Sequence, residues 1–364
     1  MTETTVPETP AAAPPGVPPS PLLARPRAVP AEGRDAGVAW HYGDPTAEQR
    51  MLAAGEGAVD LSHRGVVRVT GPDRLSWLNS MTTQELTGLR PHTSTETLVL
   101  SPHGHVEHAL HVVDDGEAAW LTVEPGTAPA LVAWLDRMRF MLRVEVADVT
   151  AEWAVLGEPV GRESGGGEPL AWRDPWPALA PGSVSYAAVA EADHPGAGRP
   201  WREVLVPRAE LASRAPERLA GTWAAEALRV AAWRPRFGAE TDHRTIPHEV
   251  DWLRTAVHLQ KGCYRGQETV ARVHNLGRPP RRLVLLHLDG SGHELPEPGA
   301  DVVHGDRRVG AVTTAARHHE EGPIALALVK RSTPADVQLL VARAAGGETA
   351  QGGIDAAQEV IVAP

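Results

Sequence analysis

The 364 residues carry a formal net charge of −11, with 42% hydrophobic and 22% charged residues, a globular composition long enough for two or three domains with substantial cores. The negative balance excludes nucleic acid and an anionic membrane surface as main partners, because both need clustered Lys and Arg. A single cysteine excludes an internal disulfide and a thiolate-only zinc or iron–sulfur site, and no apolar run approaches the ~18 residues of a membrane span.

The first thirty residues hold nine prolines and many alanines. Residues 1–33 are therefore expected to be a disordered tail that cannot bury enough surface to fold. They lack the basic start and apolar centre of a secretory signal, which leads us to expect a cytoplasmic protein. "VVRVT" (66–70) reads as a strand, "GPD" as a turn with Asp73 as N-cap, and "RLSWLNSM" as a helix with Leu75, Leu78 and Met81 on one side. "TLVL" and "VEHALHVV" flank "SPHGH" as a hairpin, with "AAWLTV" as the next strand. "TAPALVAWLDRMRFML" (127–142) predicts an amphipathic helix carrying Leu131, Leu135, Met138 and Leu142.

Residues 150–222 are rich in Gly, Pro and Trp and suggest a smaller second subdomain, with "GRESGGGEP" its least structured piece. "TWAAEALRVAAW" (222–233) is helical again. From 281 onward, short apolar strands punctuated by Gly and Asp predict a small β-barrel reaching to 364.

Several motifs lead nowhere. "HEVDWL" (248–253) starts like a zinc-protease helix but has Trp252 where a second histidine belongs. His103, His105, His108 and His111 lie close in sequence, yet no carboxylate or cysteine completes a metal set. "HHEE" (318–321) reads as a solvated turn.

"QKGCYRGQE" (260–268) is different. It gathers the sole cysteine, Cys263, one of two lysines, Lys261, and one of three tyrosines, Tyr264. Lys261 and Arg265 place positive charge on either side of the thiol, which favours a thiolate. Gly262 and Gly266 permit a sharp turn or a close approach. "QETVARVHNL" (267–276) predicts a helix ended by Gly277 in the left-handed conformation, so Cys263 is expected just before a helix N-terminus and close to the start of the barrel.

"KGCYRGQE" resembles the signature of the YgfZ-type folate-binding proteins, relatives of the aminomethyltransferase (T-protein) of the glycine cleavage system. "GAVDLSHRGVVRVTGPDRLSWLNSMTTQ", "LRVAAWRPRFGAETDHRTIPHE" and "GADVVHGDRRVGAVTTAARHHEEGPIALALV" resemble the family's N-terminal, central and barrel blocks. The resemblance implies an α+β, aminomethyltransferase-like ring of subdomains around a central pocket over 34–280, followed by the C-terminal barrel over 281–364. It also implies tetrahydrofolate or a derivative as cofactor, and a role in assembling or repairing iron–sulfur enzymes, which would be the partners.

On this reading Cys263 is the key residue and no metal is resident. Lys261, Gly262, Tyr264, Arg265, Gly266, Gln267, Glu268, Arg229, Asp242 and Glu249 are the expected folate or partner contacts. Lys261 would serve as electrostatic partner, Tyr264 as stacking face or hydroxyl donor, and Glu268 as orienter of Lys261 or helix cap. Two positions depart from the transferases. Ala231 stands where they carry the pterin-binding glutamate, which leaves Glu240, Asp242 or Glu249 to replace it. His108 stands at the catalytic aspartate. The alternatives are a folate-dependent aminomethyl or one-carbon transferase, and a folate-binding module without thiol chemistry.

Overall fold

The computed structural model describes residues 17–160, 169–292, 294–344 and 353–363. Two five-stranded sheets and a closed barrel make up the frame. In the first sheet the strands Ser94–Leu100, Val106–Asp114, Ala118–Val123, Gly65–Thr70 and Glu145–Asp148 lie in that spatial order, all antiparallel. Its apolar face is covered by the helices Arg74–Met81 and Ala128–Arg137, which bury Trp77, Leu78, Leu131 and Leu135 against Val67, Val69 and Leu121. Alternating side chains of a strand and every third or fourth residue of a helix supply these contacts, as their periods require.

The second sheet runs Ala171–Arg173, Trp201–Pro207, Trp153–Pro159, Ala58–Asp60 and Leu219–Ala220. Residues 150–222 therefore do not close on themselves, because Ala58–Asp60 is inserted from far upstream and pairs parallel with Leu219–Ala220. The first eight residues of the "GRESGGGEP" stretch, 161–168, lie outside the described residues. The barrel is formed by Arg281–Leu288, Gly322–Lys330, Arg307–His318, Asp301–His304, Leu339–Val341 and Ile354–Val360. It begins at the expected residue, and closure leaves it no open edge. Among the described residues no helix is long and apolar enough to cross a membrane.

Four local expectations change. The chain is packed from Ser20 on: Leu22 is buried in an apolar cluster with Leu156 and Leu211, and Ser20 N donates to Gly37 O at 2.8 Å. The tail expected over 1–33 is thus shortened, and residues 1–16 lie outside the described residues. The helix expected to reach 142 stops at Arg137, because Phe140 turns left-handed (φ 48°) and Arg143 folds back onto Asp73, its Nη2 2.8 Å from Oδ1. Phe140 and Met141 are consequently 85% and 98% exposed. Asp73 occupies the N-cap place of the helix Arg74–Met81, but its carboxylate serves Arg143 instead of the helix amides. Gly277 ends the helix Gln267–Leu276 in an extended conformation (φ −135°), not a left-handed one.

Candidate functional site

The motif loop is held from both ends. Lys261 is buried, and its Nζ donates to the carbonyls of Asn79 (2.6 Å), Thr82 (2.9 Å) and Gln84 (2.6 Å). All three ammonium protons are thus directed at the turn after the helix Arg74–Met81. Burial pulls Lys261 down to about 8, with Glu85 acting against it. At the other end Gly266 has φ 83°, and a Cβ there would meet Ser101 O at 2.6 Å. The loop is therefore clamped onto the tip of the hairpin formed by Ser94–Leu100 and Val106–Asp114, where only glycine fits. Gly262 faces open space.

Between these clamps Cys263 is exposed. Tyr264 is buried in the core with Val250, Trp252 and Val270, and burial raises its hydroxyl. Arg265 pairs with Glu107 at 2.8 Å and lies 5.8 Å from the Trp134 ring. Gln267 opens the helix, its N–H donating to Tyr264 O at 3.2 Å. Glu268 is exposed and pairs with Arg272. The structure thus corrects three expected roles. Lys261 is a peg in backbone carbonyls instead of a free cation, Tyr264 is core instead of a stacking face, and Glu268 does not orient Lys261. The thiol remains.

Arg229, Asp242 and Glu249 are not brought to this loop. Asp242 and Glu249 both grip Arg281 at the barrel's first strand (2.6 and 2.8 Å). Glu240 is fully buried against Arg229 (2.8 Å) and the hydroxyls of Thr313 and Thr314. None of the three acids proposed to replace the pterin glutamate is free for a ligand.

Arg229 belongs to a second feature, a charged network at the centre of the molecule. Arg236 lies between Asp35 (2.7 Å), Glu124 (2.8 Å) and Glu226 (3.2 Å). Arg64 joins Glu203 (2.8 Å) to Glu124 (3.6 Å), and Arg229 joins Glu226 (2.9 Å) to Glu240. His63 meets Asp35 at 3.0 Å, while His111 meets Glu203 at 2.9 Å and lies flat on Trp172 at 3.7 Å. Burial opposes ionisation of these acids, but the guanidiniums outweigh it. Arg236 and His63 hold Asp35 well below the carboxylate range, Arg64 and His111 do the same for Glu203, and Arg229 and Arg236 leave Glu226 at about 2. The network joins both sheets, the helix Thr222–Ala231 and the barrel. Sequence reasoning missed Asp35, Glu124, Glu203 and Glu226; the arginines at 229, 234 and 236 were the one signal that acids must gather around them.

His103, His108 and His111 lie in different surroundings. His103 is exposed at the hairpin tip, His111 points to Glu203, and His108 is close to Phe237, where burial lowers it to about 4. Among the described residues no three His, Cys, Asp or Glu side chains are grouped to hold a metal.

Comparison with known proteins agrees with this architecture. The GCVT N-terminal domain matches residues 34–157, and the glycine cleavage T-protein C-terminal barrel domain matches 281–357. The chain is aminomethyltransferase-like and carries both T-protein domains. Its fold is similar to that of the glycine cleavage system aminomethyltransferase T of Bartonella henselae, with a TM-score of 0.73 and 17% identity over 94% of this chain and 95% of that one. An aminomethyltransferase of Moorella thermoacetica is 27% identical over 80% of this chain and 83% of its own. A putative chloroplastic transferase of Arabidopsis thaliana is 27% identical over 70% of this chain, which spans 61% of that relative's length. The mitochondrial iron–sulfur cluster assembly factor IBA57 homolog of Mycosarcoma maydis is 25% identical over 66% of this chain and 59% of its own.

Whether this aminomethyltransferase-like protein accommodates tetrahydrofolate at its centre is decided by space and charge. The central cavity, walled by Arg64, Glu124, Trp172, Glu226 and Arg236, measures about 50 Å³, far below the ~300 Å³ where small-molecule sites begin. Arg64, Arg229, Arg234 and Arg236 on its wall are already paired with carboxylates, and Ala231 does not line it but faces a separate cleft. The residues present do not fit a pterin in this arrangement.

Buried histidines make stability depend on pH. Burial lowers His108, His194 and His248 each to about 4, against ~6.5 in an unfolded chain. Between these values the unfolded state binds more protons, so stability is complete above pH ~6.5 and falls as pH drops toward ~4. The depressed carboxylates extend the loss below pH ~4.5. After allowance for solvent screening, urea unfolding is expected to show on the order of 4 kcal/mol less stability at pH 5 than at pH 7.5. A flat profile over that interval would contradict the neutral burial of these rings.

Proposed function

We propose that this protein assists the assembly or repair of iron–sulfur enzymes by presenting the thiol of Cys263 to a client protein. The observation that carries this reading is that the sole cysteine is exposed at the middle of a loop whose two flanks are rigidly anchored, by Lys261 in three carbonyls and by Gly266 against the hairpin. A buried structural cysteine needs no such mounting. The likeness to the IBA57 homolog, named as an iron–sulfur cluster assembly factor, supports the same reading. Aminomethyl transfer has less support, because the central cavity is about 50 Å³ and His108, at the position of the transferases' acid, is lowered by burial to about 4.

The test is genetic and enzymatic. The gene is deleted and restored as wild type or as Cys263→Ser, and cluster-dependent enzymes are assayed beside cluster-free controls. Cluster enzymes are expected to lose most of their activity on deletion and to recover only with wild type. Full rescue by the serine variant would give the motif a structural role and overturn the reading that the thiol acts on clients.

A further inference from the structure

Between the second sheet, the end of the helix Thr222–Ala231 and the barrel lies a cleft of about 330 Å³, remote from the roles given to Cys263; Arg199 and Trp201 stand between it and the charged centre and line both. That volume is in the range of small-molecule sites. One wall is apolar, built from Val160, Pro200, Leu228, Ala231 and Ala232. Two side chains on its lining each carry one buried nitrogen without a hydrogen-bond partner among the described residues. Arg199 lies over the Trp201 ring at 4.4 Å, and its Nε donates to nothing among the described residues. Its carboxylate neighbour, Asp174, is 3.7 Å away and is itself held by Arg234 at 3.1 Å. On the other side His319, with 8% of its side chain exposed, has a buried Nδ1 without a partner. Gln49 fixes the position of this histidine by accepting from its backbone N–H at 2.9 Å.

The "HHEE" stretch forms the turn expected from the sequence, with Glu320 in solvent, but its two histidines are largely buried in the cleft wall. A guanidinium taken out of water with only a shared, distant counter-ion is costly unless an anion completes it. Burial accordingly pulls Arg199 down to about 10, against the opposing effect of Asp174. The other titratable groups on the lining are His318, lowered by burial, Glu321, raised by burial and 3.8 Å from His318, and Glu320, which is mostly exposed. The anion-seeking end is thus at Arg199, and the acidic end is at the barrel turn.

We propose that this cleft binds a small organic acid with an apolar body, its carboxylate taken by Arg199 and its far end hydrogen-bonded by His319. An arginine fork suits a planar carboxylate, and the apolar wall takes up the rest of the molecule. The inference does not depend on the iron–sulfur reading.

Isothermal titration calorimetry on the full chain tests it, with hippurate as probe and hippuramide as its neutral isostere. Hippurate is expected to bind saturably, hippuramide about tenfold or more weaker, and Arg199→Gln to lose hippurate by a similar factor. Ala231→Leu, which fills the cleft without touching Arg199, is expected to abolish binding and covers the case in which Arg199→Gln does not fold. Equal affinity for acid and amide, no saturation by about 10 mM, or unchanged binding in Ala231→Leu would overturn the proposal. Displacement of hippurate by an equal concentration of inorganic phosphate would reveal a bare anion site and overturn it as well.

Discussion

Arg236→Met is expected to destabilise the protein by about 3–5 kcal/mol, the cost of removing one member of a buried ion-pair network and leaving the others unpaired. Arg236 is 6% exposed and faces three carboxylates from separate parts of the chain, Asp35, Glu124 and Glu226. Methionine keeps an unbranched apolar stem but leaves the acids facing one another. The pH dependence gives the effect a signature. In the wild type the guanidinium outweighs burial and holds these acids low, so their contribution is present above pH ~4.5 and lost on acidification. In the variant burial and mutual repulsion raise them, so protonation relieves the strain. The deficit measured by urea unfolding is therefore expected to be smaller at pH 5 than at pH 8. A deficit below ~1 kcal/mol, or one that grows on acidification, would mean that packing alone holds the centre together.

Lys261→Met is expected to cost about 2–4 kcal/mol, since the carbonyls of Asn79, Thr82 and Gln84 lose their common donor. The more telling result concerns Cys263. If Lys261 acts as a peg, its loss loosens the loop, and labelling of the thiol by a disulfide reagent is expected to become faster. Amide exchange over residues 79–84 is expected to accelerate with it. If Lys261 instead acted as a neighbouring charge that favours the thiolate, labelling would slow while exchange stayed the same. The directions are opposite, so one variant separates the two roles.

Much of the local structure was legible because it depends on short-range patterns. The strand Ala118–Val123, the helix Gln267–Leu276 and the start of the barrel at Arg281 fall where periodicity and turn residues placed them. The errors arose where a distant residue decided. The helix 127–142 was cut short by a left-handed Phe140 and by the pull of Asp73 on Arg143. The strand Ala58–Asp60 joined a sheet whose other members lie at least ninety residues downstream, which no local pattern encodes.

For the site, the sequence by itself determined the chemistry on offer: a single thiol, two flanking glycines and a lysine retained in an arginine-rich chain. Composition and spacing are properties of the chain alone, so these needed no coordinates. Only the tertiary structure decided what each residue does. It turned Lys261 inward to three carbonyls, buried Tyr264, left Cys263 in solvent, and gathered Asp35, Glu124, Glu203 and Glu226 around arginines far along the chain. The physical reason is that a buried charge or donor must find its partner wherever the fold brings one. That choice is made between elements, not within them.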